Sequence, residues 1–332
     1  MELQFFCFKN QLEWGRKVEE HLEIPLALHE EREFEDGEHK TRSLENVRNR
    51  DVFVIESLYT DNQQTVNDKI CRLLFFIGAL KDASAKHVTA VIPYFAYARK
   101  DQKSKNRDPV TMKYMAKMLE AAGADSILSM DIHNLAAYQN AFRIPAENLE
   151  AQSLFAPYLA KHLAYQDIVV VAPDLGGIKR AEKLRVTLSH LMQKDIGIAV
   201  IDKKRSSGIV EGGSILSGDV KNKVAVMVDD ILSTGKTLKL GVDALSIAGV
   251  SRILACVSHG ILLEESKFLI HDERIEKIII TDTIHSPFLD QLLITKKIQI
   301  LDSSLLFARA MKRMQAGESI IDLMENFSQV KE

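Results

Sequence analysis

The chain has 332 residues, enough for two domains of ordinary size, with 46% hydrophobic and 27% charged residues, the balance of a globular enzyme. A formal net charge of −3 supplies no attraction for nucleic acid or an acidic membrane surface, and no apolar run is long enough to span a bilayer. Met1–Asn10 lacks the basic start and apolar core of a secretory signal, and Cys7, Cys71 and Cys256 suit neither a disulfide framework nor a zinc site, so a cytoplasmic location is expected.

In chain order, short runs rich in valine and isoleucine predict strands over Val52–Glu56, His87–Pro93, Asp125–Asp131, Ile168–Ala172, Gly197–Ile201, Val224–Val228, Arg252–Val257 and Lys277–Thr281. Most read as strands buried on both faces. Between them lie helical patterns. Thr65–Ala83 places Val66, Ile70, Leu73, Leu74, Ile77 and Leu80 on one stripe. Asp108-Pro109 reads as an N-cap and first-turn proline, with Gly123 as the stop. Ile178–Gln193, Leu238–Ala248, a segment opening at Ser286-Pro287, and Ser304–Gln315 complete the set. Alternation of buried strands with helices predicts an α/β fold with mainly parallel sheets. A division near residue 150 leaves two halves of similar make-up, 1–150 and 151–332, which read as a duplication of one fold.

Six stretches carry candidate chemistry. After Val224–Val228 come Asp229, Asp230 and the small-residue turn Ser233-Thr234-Gly235-Lys236-Thr237. A tight turn and a helix N-terminus favour an anion, whereas two aspartates favour hydroxyls or a cation. A ribose 5-phosphate satisfies both. Gly235-Lys236-Thr237 also ends a nucleotide P-loop, but that motif needs glycine where Asp230 stands. The bland alternative is a helix cap.

Pro93–Lys103 offers Tyr97 for stacking and Arg99 and Lys103 for phosphates, against the plainer reading of half-buried packing with a solvated rim. His133 follows a strand end, where open α/β sheets bind ligands, and could ligate a metal, touch a phosphate or be structural. Asp174, before Gly176-Gly177, could join His133 on magnesium or belong to a glycine-rich turn. Asp202–Gly208, with Lys203 and Arg205, leads to Gly212-Gly213-Ser214 and reads as a basic flap or a solvated loop. Phe34–Glu38 reads as a turn built on Asp36-Gly37.

Together these segments resemble the ribose-phosphate diphosphokinases, also called phosphoribosyl pyrophosphate synthetases. The likeness runs along nearly the whole chain. It includes Phe34–Glu38, Ala90–Phe95, Tyr97–Asp101, Gly123–Asp125, Asp131–His133, Pro173–Gly177 and Asp229–Thr237. It implies two similar domains of the type I phosphoribosyltransferase-like fold. It also implies transfer of the diphosphoryl group of ATP to O1 of ribose 5-phosphate, giving phosphoribosyl pyrophosphate and AMP, with Mg²⁺ as cofactor. By the same resemblance, Asp229 and Asp230 hold the ribose hydroxyls, and Ser233, Thr234, Gly235, Lys236 and Thr237 hold the 5-phosphate. Arg99, Lys103 and Tyr97 serve ATP, and Phe34, Asp36 and Glu38 form an adenine site supplied by a neighbouring subunit. His133 and Asp174 bind magnesium or its phosphates, and Lys203 and Arg205 are the catalytic pair. The implied assembly is a homo-oligomer, commonly a hexamer built from dimers.

Four departures stand out. Ser233 replaces a frequent aspartate, and Lys100 a frequent glutamine. Segment 134–149 differs where the best-known class builds its site for phosphate activation and ADP inhibition. Beyond its lysine and arginine, the 202–214 loop diverges. Two other readings stay open: a type I phosphoribosyltransferase, which leaves Phe34–Glu38 and Tyr97–Lys103 unused, and a catalytically silent associated subunit, which would be expected to have lost its charged site residues.

Overall fold

The computed structural model describes residues 2–206 and 209–327, and for 203–206, 209–215, 291 and 326 the backbone alone. In chain order the elements of the first half are β1 (Leu3–Cys7), α1 (Leu12–Leu22), β2 (His29–Glu33), β3 (His39–Ser43), β4 (Asp51–Ile55), α2 (Val66–Asp82), β5 (His87–Ile92), α3 (Thr111–Ala122), β6 (Ser126–Met130), α4 (Leu135–Ala141) and β7 (Ala146–Leu149). Then come α5 (Gln152–His162), β8 (Ile168–Ala172), α6 (Ile178–Met192), β9 (Gly197–Ser206), β10 (Ile209–Ser217), β11 (Val224–Leu232), α7 (Lys236–Ile247), β12 (Arg252–Gly260), α8 (Lys267–His271), β13 (Ile275–Thr281), α9 (Leu289–Leu293) and β14 (Ile298–Leu301). Helices α10 (Ser304–Ala316) and α11 (Ile320–Phe327) close the described chain.

Two compact units result. The first is Met1–Glu150 with Ser303–Phe327, the second Ala151–Asp302. The C-terminal helices thus belong with the first half, not with the second as a single cut near residue 150 supposes. The reason is visible at α10, where Phe307 meets Trp14 of α1 edge-on and the Trp14 indole N–H donates to Ser303 Oγ at 3.2 Å. The apolar stripe of α10 finds its partner in α1, which no local signal announces.

The first unit has a five-stranded parallel sheet in the order β1-β4-β5-β6-β7. Its strands β4 and β5 are buried apart from His87, as their largely apolar runs require. β2 and β3 form a separate antiparallel hairpin. Helix α2 opens with a capping box between Thr65 and Asp68. Helix α3 begins at Thr111 behind Val110, not at Pro109; the Asp108 carboxylate is drawn instead to Lys100 Nζ (2.5 Å) and to the N–H groups of Ser104 and Lys105. Likewise α9 starts at Leu289, since the Ser286 hydroxyl is used on Leu262 O and Phe288 N–H.

The second unit has seven strands in the order β10-β9-β8-β11-β12-β13-β14, parallel except for the β9–β10 pair. Chain order reverses between β8 and β11. Such a reversal opens a crevice outside the carboxyl ends of the two strands, the usual ligand position in open α/β sheets. Buried side chains of β8, β11, β12 and β13 pack against Leu238, Val242 and Leu245 of α7. The stretch 202–214, expected as a loop, is mostly hairpin: β9 and β10 pair from Val200–Ser217 to Ser206–Ile209, with a register shift between Val210 and Ser214 that spans Gly212 and Gly213. The unbroken polar run 202–207 gives no apolar alternation from which this edge pairing could be read.

Candidate functional site

The crevice of the second unit collects four sequence-selected features. β11 continues to Leu232, four residues past the predicted end, because β12 stays paired with it through Leu232–Gly260. On the other side the ladder with β8 ends at Met227–Val171. Asp229 and Asp230 therefore lie within β11 but beyond the end of β8. Asp230 is buried and Asp229 half-buried. The Asp230 N–H donates to Asp229 Oδ1 at 2.9 Å. Burial, and then the adjacent Asp230 charge, push the Asp229 carboxyl well above the usual carboxylate range.

Beyond them Ser233 and Thr234 turn the chain, and Gly235 takes φ +77° as the residue preceding α7. A side chain there would run into Leu269, which is fully buried, so both conformation and space demand glycine. Gly235, the N-cap residue, brings no side chain to the first turn of α7, which begins with the exposed Lys236 and half-buried Thr237. The turn is fixed from below by Leu263 N–H donating to Ser233 O at 3.1 Å. The N–H groups of a helix start suit an anion.

Asp174 follows β8 after Pro173. Its Oδ1 accepts from Gly177 N–H at 3.1 Å and caps the short helical turn Leu175–Gly177, so one of its oxygens already has structural work. One residue of this crevice went unnoticed in the sequence. Arg180, in the first turn of α6, brings Nη1 to 3.4 Å from Asp230 Oδ1 and 3.8 Å from Asp229 Oδ1. Its only signal was a basic pair, Lys179-Arg180, just after Gly176-Gly177. Lys203 and Arg205 lie on the β9 backbone, opposite Ser214 and Val210 of β10. Their side chains fall outside the described residues.

In the first unit, the loops after β5 and β6 stand side by side, since those strands pair through Ile92–Ser129. Asn134 ties them, donating through Nδ2 to Asp101 Oδ2 at 2.6 Å while its Oδ1 caps α4. This brings the loop of Tyr97, Arg99 and Lys103 next to that of His133. Arg99, Lys103 and His133 are exposed. Tyr97, at φ +61°, donates its hydroxyl to Asn67 Oδ1 at 2.7 Å. Phe95 packs edge-on against Tyr138 and Phe142, and Tyr94 is buried as well, so two of the three aromatics of this loop are core. Lys100, a departure from the expected pattern, is a loop brace through Asp108.

Phe34–Glu38 closes the β2–β3 hairpin. Phe34 N–H donates to Glu38 O at 2.7 Å, Asp36 Oδ1 accepts from Glu38 N–H at 3.1 Å, and Arg32 lies over the Phe34 ring at 4.7 Å. The root of the hairpin is pinned at Glu31, which accepts from Arg72 of α2 at 2.8 Å and from Lys9 N–H at 2.9 Å. Beside it lies a buried polar group in which Asn10 Nδ2 donates to Glu56. Among the described residues no group of three or more histidine, cysteine, aspartate or glutamate side chains could hold a metal ion, and no helix is long and apolar enough to cross a membrane.

Residues 3–123 match the family described as the N-terminal domain of ribose phosphate pyrophosphokinase, and residues 210–325 the phosphoribosyl synthetase-associated domain. The chain is 35% identical over 322 residues to a ribose-phosphate pyrophosphokinase of Fusobacterium nucleatum, covering 97% of this chain and 98% of that one. It is 36% identical over 326 residues to that of Clostridium perfringens, with 98% of each covered. The crystal structure of phosphoribosylpyrophosphate synthetase from Mycobacterium smegmatis superposes with a TM-score of 0.85 at 29% identity, over 96% of this chain and 100% of that one. This chain therefore belongs to the ribose-phosphate pyrophosphokinase family.

Proposed function

We propose that the second unit holds ribose 5-phosphate and the first supplies the ATP-side residues for the family's reaction. In that reaction O1 of the sugar attacks the β-phosphorus of ATP. The bond from that phosphorus to the bridging oxygen of AMP breaks, and the hydroxyl proton is lost. The products are phosphoribosyl pyrophosphate and AMP. The observation that carries the reading is the pairing of two shielded carboxylates with a glycine-dependent helix start in one crevice. Asp229 and Asp230 accept hydrogen bonds from the ribose hydroxyls. The N–H groups and hydroxyls of Ser233–Thr237 take the 5-phosphate.

On the nucleotide side, Arg99 and Lys103 grip phosphates and Tyr97 stands beside them. Phe34, Asp36 and Glu38 recognise adenine, in an oligomer where the turn serves a neighbouring subunit. Lys203 and Arg205 meet the charge that develops on the transferring group. Little covalent work falls to the protein, so position and electrostatics carry the rate. The donor set fits Mg²⁺ brought in on the nucleotide, because such sites need only one or two protein ligands besides phosphate oxygens. His133 and Asp174 would bind it or its phosphates, and it would neutralise phosphate charge. A cytoplasmic location goes with this chemistry.

Incubation with ribose 5-phosphate, ATP and Mg²⁺ should release AMP stoichiometrically with phosphoribosyl pyrophosphate. A phosphoribosyltransferase or a silent subunit would release none, and that result would overturn the reading.

A further inference from the structure

We propose that Arg180 is a positioning residue of the sugar half of the site: its guanidinium offsets part of the charge of the Asp229–Asp230 pair and orients both carboxylates for the ribose diol. The inference rests on the assignment of that pair to ribose. Adjacent residues of a strand point to opposite faces, so two neighbouring aspartates do not ordinarily share one partner. Here they do. The Asp230 N–H donates to Asp229 Oδ1 at 2.9 Å, and Arg180 Nη1 lies 3.8 Å from that oxygen and 3.4 Å from Asp230 Oδ1.

These separations exceed the 2.7–2.9 Å or so of a tight charge-assisted bond. The guanidinium therefore supplies charge to both oxygens more than it occupies either. Two like charges side by side in a shielded strand repel each other and shed one charge by taking up a proton. A cation within reach of both opposes that. The Arg180 side chain is itself only 19% exposed, and Asp230's only 4%, so the interaction is poorly screened by water. The position of Arg180 is set independently of the pair. It lies in the first turn of α6, directly after the 175–177 turn that Asp174 caps, at the carboxyl edge of β8. One rigid connection thus delivers both Asp174 and Arg180 to the crevice.

The test is direct binding by the full chain, measured by calorimetry for ribose 5-phosphate and separately for a non-hydrolysable ATP analogue. Arg180→Gln is expected to weaken ribose 5-phosphate by at least about tenfold while the ATP analogue stays within about twofold, and Arg180→Lys should recover most of the loss. An Arg180→Gln protein that binds the sugar phosphate as the wild type does would overturn the proposal. So would equal weakening of both ligands, or a lysine variant no better than glutamine. Should the glutamine variant not fold, Arg180→Met gives the same readout with a second uncharged side chain of similar length. A wild type that binds ribose 5-phosphate but forms no AMP would sink the assigned reaction alone, whereas one that binds no ribose 5-phosphate would sink both.

Discussion

Glu56 offers a quantitative check on the interior of the first unit. It follows β4, is wholly buried, and has one oxygen bonded to Asn10 Nδ2 at 3.0 Å while Oε2 finds no hydrogen-bond partner. Lys69, also wholly buried, is close enough to oppose the effect but is paired with Asp61 at 2.8 Å and lies over the Tyr59 ring. Burial outweighs the lysine and pushes the Glu56 carboxyl up to about 8, from an ordinary value of 4.5. Between those two pH values the folded protein keeps a proton that the unfolded chain releases. Stability from this group is complete below about pH 4.5 and is lost as pH rises through 8. At about 1.36 kcal/mol per pH unit the whole span is worth up to roughly 5 kcal/mol.

Glu56→Gln imitates the protonated acid, keeps the acceptor for Asn10, and cannot titrate. Urea unfolding should be followed through the emission of Trp14, the single tryptophan, which is buried in the same unit. Near pH 5 the two proteins should be of similar stability. By pH 8.5 the glutamine variant should exceed the wild type by about 3–5 kcal/mol. A difference that stays constant across that range would refute the reasoning, because it would mean that Glu56 does not hold its proton in the folded state.

Two further outcomes follow from the second unit. Gly235→Ala should destabilise the protein by about 2–4 kcal/mol, from the left-handed backbone and the clash with buried Leu269, and should weaken ribose 5-phosphate binding. Thermal unfolding and calorimetry would show this, and an unchanged melting temperature would contradict it. Lys203→Ala should lower kcat far more than it changes the KM for ribose 5-phosphate, since its role falls in the transition state. Steady-state kinetics with unchanged kcat and a raised KM would contradict that role.

Much of the scaffold was legible because its signals are local. β8 and the core of β11 are continuous apolar runs, which only a strand buried on both faces tolerates. Gly123 and Gly317 end helices with φ of +104° and +72°, as glycine after an apolar stripe foretells. The β2–β3 hairpin was read only as its turn, because HEERE and HKTRS carry no apolar alternation; cross-strand pairing and the anchorage of Glu31 make the strands. Asp108 was read as a helix cap because it precedes a proline, yet Lys100 eight residues earlier competes for its carboxylate and wins.

For the site, the sequence alone determined which residue types stand at the strand ends: two aspartates and a glycine turn after β11, an aspartate after β8, basic and aromatic residues after β5. It did so because each group lies within a dozen residues of the apolar run that positions it. The tertiary structure alone decided which of these share a crevice. The reversal of strand order puts the ends of β8 and β11 together, and it carries Arg180 to carboxylates some fifty positions away. It also returned Ser303–Phe327 to the first unit. Such choices depend on packing between distant segments, where the energy resides in contacts and charges that no single stretch of chain contains.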